Sequence, residues 1–303
     1  MSAITSTSFA KALWPGINAW WGKAYDEHDE EFTELFDTYN SERAYEEDVG
    51  ITSFGLAPVK DEGGSIRYDT EQQGYVTRYT HVTYGLGFII TREIYEDDLY
   101  DVVGERRARG LAFSMRQTKE NVAANVYNRA FDNEFSGGDG VSMINRSHPL
   151  VAGGTASNRL ETDADLSEAA LEQASIDIMK YRDDRGLRIS VVPQKLIVPP
   201  DLVFEAERIM GTPNRVGTSN NDINALRSMS KFPEGFVVNH YLTDENAWFI
   251  RTNVPDGLKH FQRRPVEFAI DNDFDTENAK FKATERYSFG WTDWRAVYGS
   301  PGA

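Results

Sequence analysis

The C-terminal segment, residues 281–303, is the feature that most restricts the fold of this chain. Its bulky and small apolar residues occupy alternate positions: Phe281, Ala283, Tyr287, Phe289 and Trp291. A period of two predicts a β-strand with one buried face. After Asp293 the parity reverses and Trp294 takes the buried position, which an inserted residue, a β-bulge, would explain. We therefore predict a long terminal strand whose core residues are Tyr287, Phe289, Trp291 and Trp294.

A proline-free segment from Asp97 to Glu134 has a different period. Its apolar residues recur at steps of three, four and seven, which is typical of a helix with one buried face. At about 1.5 Å per residue, a helix over 96–134 would reach roughly 55 Å, well beyond the usual dozen or so residues. A terminal strand and a long helix in one chain indicate an α+β fold.

Three tryptophans lie close to the start of the chain, at Trp14, Trp20 and Trp21. Large apolar side chains near a terminus need a cover, because chain ends are usually polar and frayed. They dock either on this chain's own core or on a neighbouring chain. We predict the second arrangement, in which these residues belong to an arm at a subunit interface.

Residues 62–91 read as two β-arms around a turn near Gln73-Gly74. Neither face of the second arm is strongly apolar before Leu86, and an isolated two-stranded ribbon is marginal in water. Tyrosine and arginine are residues that protein interfaces favour. We therefore predict a projecting hairpin that contacts a partner through four residues: Tyr68, Tyr75, Arg78 and Tyr79.

Shorter signals divide the middle of the chain. Ser167 is a candidate N-cap and Gly186 a candidate C-terminal glycine for one helix. The segment "QKLIVPP" predicts a short buried strand, and "DLVFEAERIMG" predicts a short helix that ends at Gly211. The runs "GFVVNHYL" and "NAWFIRT" predict a hairpin around Thr243-Asp244-Glu245.

No reactive constellation stands out in the 303 residues. The chain has no cysteine, its five histidines have no metal spacing, and no nucleotide or nucleophile motif occurs. Acidic groups such as Asp183-Asp184 and Glu46-Glu47-Asp48 are expected by chance in so acidic a chain. We therefore expect no catalytic residue, no cofactor and no metal ion.

The formal net charge is −16, with 48 acidic and 32 basic residues. Proteins that grip nucleic acid need a basic surface that displaces counterions, so sequence-specific binding of DNA is not expected. No apolar run approaches the roughly 20 residues of a membrane span, and we expect no membrane partner. An acidic surface also keeps a protein dispersed.

The order of these segments resembles a known family. The segment "GLGFIITREIYEDDLYDVVGERRARGLAFSMRQTKENVAANVYNRAF" is similar to the foot of an extended loop that leads into a spine helix. The segments "GGDGVSMINRSHPLVAGGTASN", "QKLIVPPDLVFEAERIM" and "NDFDTENAKFKATERYSFGWTDWRAVYGSPGA" continue the likeness over about 240 residues. Together they resemble the major capsid proteins of tailed bacteriophages with the Hong Kong 97-type fold, with Mu-type head subunits as the nearest branch.

The resemblance implies a division of the chain. Residues 1–60 would form the N-terminal arm and residues 61–92 the extended loop. Residues 93–164 and 266–303 would form the peripheral domain with the spine helix. Residues 165–265 would form the axial domain at the centre of a capsomer. The terminal strand would then pack against the spine helix.

The resemblance also implies a function and partners. The chain would assemble with copies of itself, in hexamers and pentamers, into an icosahedral virion shell around double-stranded DNA, in the host cytoplasm. Because the arm begins almost at Met1, scaffolding would come from a separate protein, and a portal and decoration proteins are further expected partners. Some relatives crosslink a loop lysine to a neighbour's asparagine. Residues 61–91 contain no lysine, so we do not expect that chemistry.

Two other functions stay open from the sequence. The first is an encapsulin-like compartment, in which the same shell fold holds protein cargo in place of DNA. The second is a hydrolase that uses carboxylates within residues 160–270. A hydrolase would be a monomer or small oligomer with a deep acidic pocket, and particle size separates it from both shell proteins.

Overall fold

The structure is a computed structural model, and it describes residues 19, 21–96, 100–214, 222–273 and 277–303. The side chains of residues 95–103 and 272 also lie outside the description. The described residues combine helices with two larger sheets, which confirms the predicted α+β class.

Twelve strands are described, in chain order: β1 (Asp37–Asn40), β2 (Tyr45–Ile51), β3 (Gln73–Thr80), β4 (Val82–Ile90), β5 (His148–Pro149), β6 (Thr155–Ala156), β7 (Pro193–Val198), β8 (Phe236–Val238), β9 (Trp248–Thr252), β10 (Leu258–Asn272), β11 (Ala279–Trp291) and β12 (Val297–Ser300). The α-helices are α1 (residues 21–26), α2 (Arg92–Glu96), α3 (Tyr100–Asn128), α4 (Glu168–Met179), α5 (Val203–Gly211) and α6 (Ala225–Ser228). Short 3₁₀ turns cover Glu31–Glu34, Pro200–Leu202 and Trp294–Ala296.

Two four-stranded sheets organise the chain. The first has the order β1-β10-β11-β4 and is built on the long antiparallel pair β10 and β11. The second has the order β12-β9-β7-β8. Two-stranded ribbons, β2-β3 and β5-β6, stand outside them. Strand β1 joins the first sheet in parallel, so the N-terminal part of the chain is tied to the C-terminal part.

The long helix predicted from the proline-free segment is present as α3, although it is shorter than predicted. Its 29 residues correspond to about 43 Å. Its first half packs with α1 and the first sheet through Ala108, Leu111 and Met115. The described residues form two buried apolar clusters. The second half of α3 enters the larger one, which we call the larger core, through Ala123 and Tyr127. The helix therefore bridges both apolar clusters.

The chain's end differs from the predicted single strand with a bulge. Strand β11 ends at Trp291 in the first sheet, a 3₁₀ turn follows, and β12 pairs with β9 in the second sheet. Asp293 accepts a hydrogen bond from the backbone N–H of Arg295 and so caps the turn. The reversed parity thus marks a change of sheet, which a period-two pattern cannot distinguish from an inserted residue.

Three local predictions have mixed outcomes. Ser167 caps α4 by accepting from the N–H of Ala170, as predicted. Gly186 is not the C-terminal glycine of α4, because that helix ends at Met179 and Gly186 lies in a later turn. The predicted hairpin of β8 and β9 is also wrong. Strand β7 lies between them, parallel to β8 and antiparallel to β9.

Candidate assembly surface

The second arm of the predicted hairpin has a different partner from the one expected. Strand β3 pairs antiparallel with β2, from Tyr45 opposite Thr80 to Ile51 opposite Gln73. Residues 52–72 contain no strand, so the predicted turn at Gln73-Gly74 is wrong. We call β2, residues 52–72 and β3 the extended loop, and residues 52–72 its tip. Sequence analysis missed β2 because its three consecutive acidic residues, Glu46 to Asp48, resemble a solvated segment.

The foot of the extended loop is fixed to the first sheet by Tyr79. Its ring is buried and packs edge-on against Phe261, with 5.0 Å between ring centroids. Its hydroxyl lies 2.6 Å from the Thr292 hydroxyl. Gly290 leaves room for the ring, since a Cβ there would stand 2.8 Å from Tyr79 Cε1. Tyr79, predicted as an interface residue, is thus packed within its own chain.

Polar groups tie the same foot to the sheet. Asp48 on β2 accepts from Thr292 at 2.8 Å and from the Lys259 ammonium. His81, between β3 and β4, lies 3.0 Å from the hydroxyls of both Ser41 and Ser288. Burial lowers the pKa of His81 and so favours its neutral ring. A neutral imidazole can donate to one hydroxyl and accept from the other. The foot of the extended loop is therefore buried and fixed to the first sheet.

The tip of the extended loop is exposed, whereas the foot is buried. Its large apolar side chains are exposed, with Leu56, Val59 and Tyr68 at 82%, 95% and 91%. Phe54 and Ile66 are exposed as well. Several large apolar side chains left in water within one segment favour a surface that another protein covers. In the described residues of this chain, nothing covers them.

Polar contacts of Arg185 join the tip to the rest of its own chain. Asp69 accepts from the backbone N–H of Gly55 at 2.7 Å and from the Arg185 guanidinium. The Gly55 N–H and then Arg185 hold the pKa of the Asp69 carboxyl at about 2. Arg185 also donates to the Thr70 carbonyl. Because the Asp69 carboxylate is exposed, these contacts orient the tip without giving it a core.

The other predicted interface residues differ in placement. Tyr68 and Tyr75 are exposed, and Arg78 is paired with Glu47 and lies over the Tyr45 ring. Trp21 is buried in its own chain, stacked on Tyr25 and Phe268 at 5.2 and 5.3 Å. Trp14 and Trp20 lie outside the described residues.

The predicted core residues of the terminal strands lie in the interior. Tyr287, Trp291 and Trp294 are buried, and Phe289 is partly buried against the larger core. Gly137 approaches Trp291 so closely that a Cβ would stand 2.2 Å from the indole.

A buried polar network supports Trp294, and sequence reasoning assigned it no role. The His148 ring stacks on the Trp294 indole at 4.7 Å. Its Nδ1 lies 2.6 Å from the Asp139 carboxylate and its Nε2 lies 3.0 Å from the Asn158 amide oxygen. The Asn158 amide nitrogen donates to the carbonyls of Met143, Trp294 and Val297. These residues come from the segment that contains "GDG", "SHP" and "SN". Its Asn158 side chain bonds backbone carbonyls of the turn that links the two sheets.

The acidic groups that line one open pocket of the described residues are already paired. An open pocket of about 550 Å³ is lined by Asp37, Glu234, Arg251 and Asp256 among others. Asp37 pairs with Arg251, Glu234 with Lys195, and Asp256 accepts from the Tyr39 hydroxyl. Within the described ranges, no helix is both long and apolar enough to cross a bilayer.

Comparison with solved structures places the fold among virus-like shells. The procapsid of bacteriophage JBD30 superposes with a TM-score of 0.53 at 12% identity, covering 97% of this chain and 75% of that one. The Mycobacterium phage Che8 structure gives 0.52 at 13%, covering 89% and 90%. An encapsulin from Synechococcus elongatus gives 0.53 at 11%, covering 91% and 88%. The identities are low, but these TM-scores over most of each chain show a shared fold, the Hong Kong 97-type fold.

The family follows from the sequence profile described as "phage capsid protein", which matches residues 74–300. The chain therefore belongs to the phage capsid protein family. It is a structural protein of the virion that builds a capsid shell from copies of itself, and it is not an enzyme. A search of curated proteins found no match.

Proposed function

We propose that the extended loop is the principal clamp between neighbouring subunits of the shell. The observation that carries this proposal is the contrast between its buried foot and its exposed apolar tip. A tip that projects Leu56, Val59 and Tyr68 into water loses hydrophobic free energy until another surface covers it. A neighbouring copy is the partner present at fixed geometry in every capsomer.

The rest of the assembly follows from the same proposal. The subunits form hexamers and pentamers of an icosahedral shell around the double-stranded DNA of a tailed phage. The net charge of −16 supports a wall that does not adhere to DNA, because like charges repel the duplex. A separate scaffolding protein, a portal and decoration proteins are proposed partners, with assembly in the host cytoplasm.

The proposed domains keep their sequence-derived bounds with one change. The arm, predicted at 1–60, is shortened to 1–44, while the peripheral domain stays at 93–164 and 266–303 and the axial domain at 165–265. The extended loop, proposed at 61–92, gains β2 as its first arm because β2 is the partner of β3. Residues 45–60 therefore belong to the extended loop instead of the arm.

The decisive variant replaces residues 53–71 with a short Gly-Ser linker. The ends of that segment are adjacent: the Thr52 N–H donates to the Gln72 carbonyl at 2.9 Å, and the Gln72 N–H donates to the Thr52 hydroxyl at 2.9 Å. A short linker can therefore close the gap and leave β2, β3 and buried Tyr79 intact. We expect a folded subunit by circular dichroism and no closed shells by electron microscopy.

A matched control exchanges exposed apolar surface elsewhere. Phe204 on α5 is 73% exposed, and Phe204→Ser should leave shell formation unchanged. Full-sized particles from the linker variant would refute the clamp. Shells of the unaltered chain filled with protein instead of DNA would favour the encapsulin-like alternative.

A further inference from the structure

Glu120 is a buried carboxyl on α3 that faces the N-terminal part of the chain. Its side chain is among the least exposed in the described residues, at 1%. Its Oε2 accepts from the backbone N–H of Phe32 at 2.9 Å, at the start of the 3₁₀ turn Glu31–Glu34. Its Oε1 is buried and makes no hydrogen bond in the described residues. The carboxyl thus caps the turn with one oxygen and leaves the other unsatisfied.

The charges around Glu120 do not neutralise it. From the turn, the Glu31 carboxylate approaches with like charge, and that carboxylate itself accepts from the N–H and Nδ1 of His240. From α3, the Arg116 guanidinium brings an opposing charge, but it bonds Glu30 and the Tyr25 carbonyl.

Three further titratable groups face the same region. Tyr241, from the segment after β8, and Tyr287, from β11, both interact with the Glu120 charge and are neutral near pH 7. Lys119, the next residue on α3, is paired with Glu285 at 2.7 Å. An ionised Glu120 would therefore be a buried charge without a dedicated partner, which is costly.

Burial accordingly raises the pKa of the Glu120 carboxyl from its usual 4.5 to about 7. The capping N–H of Phe32 acts in the opposite direction and is outweighed. The turn that Glu120 caps carries Phe32 and precedes Leu35 and Phe36, all buried in the larger core. The protonation of one carboxyl is thus coupled to the packing of three apolar side chains.

We propose that Glu120 is a proton-operated switch for the docking of residues 31–36 onto α3. The neutral carboxyl favours docking and the ionised carboxyl weakens it. The pKa of the Glu120 carboxyl is higher in the docked state than in the undocked state. The stabilisation of docking by the neutral carboxyl is therefore complete below about pH 4.5 and is lost as the pH rises through about 7. The switch acts where the N-terminal segment packs on α3, and it is independent of whether the extended loop is a clamp.

Hydrogen exchange of the full-length chain tests the switch. The N–H groups of Leu35 and Phe36 both donate to the Phe32 carbonyl at 3.0 Å, so their protection reports opening of the turn. After correction for the intrinsic rate, we expect protection to fall on the order of fiftyfold between about pH 5 and pH 8.5. In Glu120→Gln the protection should no longer fall as the pH rises.

The matched control is Glu105→Gln, on the same helix. Glu105 is partly exposed and pairs with Arg109, so this variant should keep the wild-type profile. Flat protection in the wild-type chain would overturn the proposal, as would a Glu120→Gln chain that still loses protection at high pH. Should Glu120→Gln not fold, Glu120→Met provides a second neutral side chain, and the wild-type profile alone still decides.

Discussion

The terminal strands and the tip of the extended loop use apolar residues in opposite ways. Along β11 and β12, Tyr287, Trp291 and Tyr298 are buried by the chain itself. In the tip, Leu56 and Val59 lie almost wholly in water. Apolar content is therefore not a measure of the core. What differs is whether the fold supplies a second surface, and the described residues of the chain supply none for the tip.

The largest expected effect concerns the terminal strands. Trp291→Ala removes a buried indole that contacts Gly137 and leaves a cavity in the larger core. We expect the free energy of unfolding to fall by about 3–5 kcal/mol, measured by urea denaturation. Phe204→Ala, at an exposed position, should change it by less than about 0.5 kcal/mol. A stable Trp291→Ala chain would erase the contrast between the two regions.

A smaller effect comes from a buried histidine of the same core. The His260 ring stacks on Phe289 at 4.4 Å, and its Nε2 has no hydrogen-bond partner in the described chain. Burial, and next the charge of Lys119, lower its pKa from 6.5 to about 3. The folded chain therefore resists protonation that the unfolded chain accepts, and stability is lost as the pH falls from about 6.5 towards 3.

Urea unfolding at two pH values measures that effect. Between about pH 7 and pH 4, His260 should contribute a loss of about 3 kcal/mol, and His260→Phe should show a correspondingly smaller loss. A substitution of the exposed His240, His240→Gln, is the comparison. Equal losses in the wild type and in His260→Phe would mean that the ring is not held neutral by the core.

The smallest effect on stability is expected in the tip. The double variant Leu56→Ser, Val59→Ser changes only exposed side chains, so the free energy of unfolding should move by less than about 0.5 kcal/mol. Shell formation, followed by electron microscopy, should nevertheless fail. A clear loss of stability in the unassembled chain would show that the tip has a cover within its own subunit.

Local patterns were sufficient where one segment contains the whole signal. The steps of three, four and seven predicted α3, and the cap at Ser167 predicted the start of α4. The period of two predicted β11, because alternation reports directly which face of a strand is buried. The order of these segments was enough to indicate the fold and the family.

The tertiary structure alone decided which segments meet. The sequence cannot report that β3 pairs with β2, that β7 separates β8 from β9, or that the chain changes sheets after Trp291. Strand pairing depends on contacts between residues far apart in the chain, and a single strand's alternation is compatible with many partners. For the same reason Tyr79 and Tyr68, alike in sequence context, separate into one residue buried at the foot of the loop and one left in water at its tip.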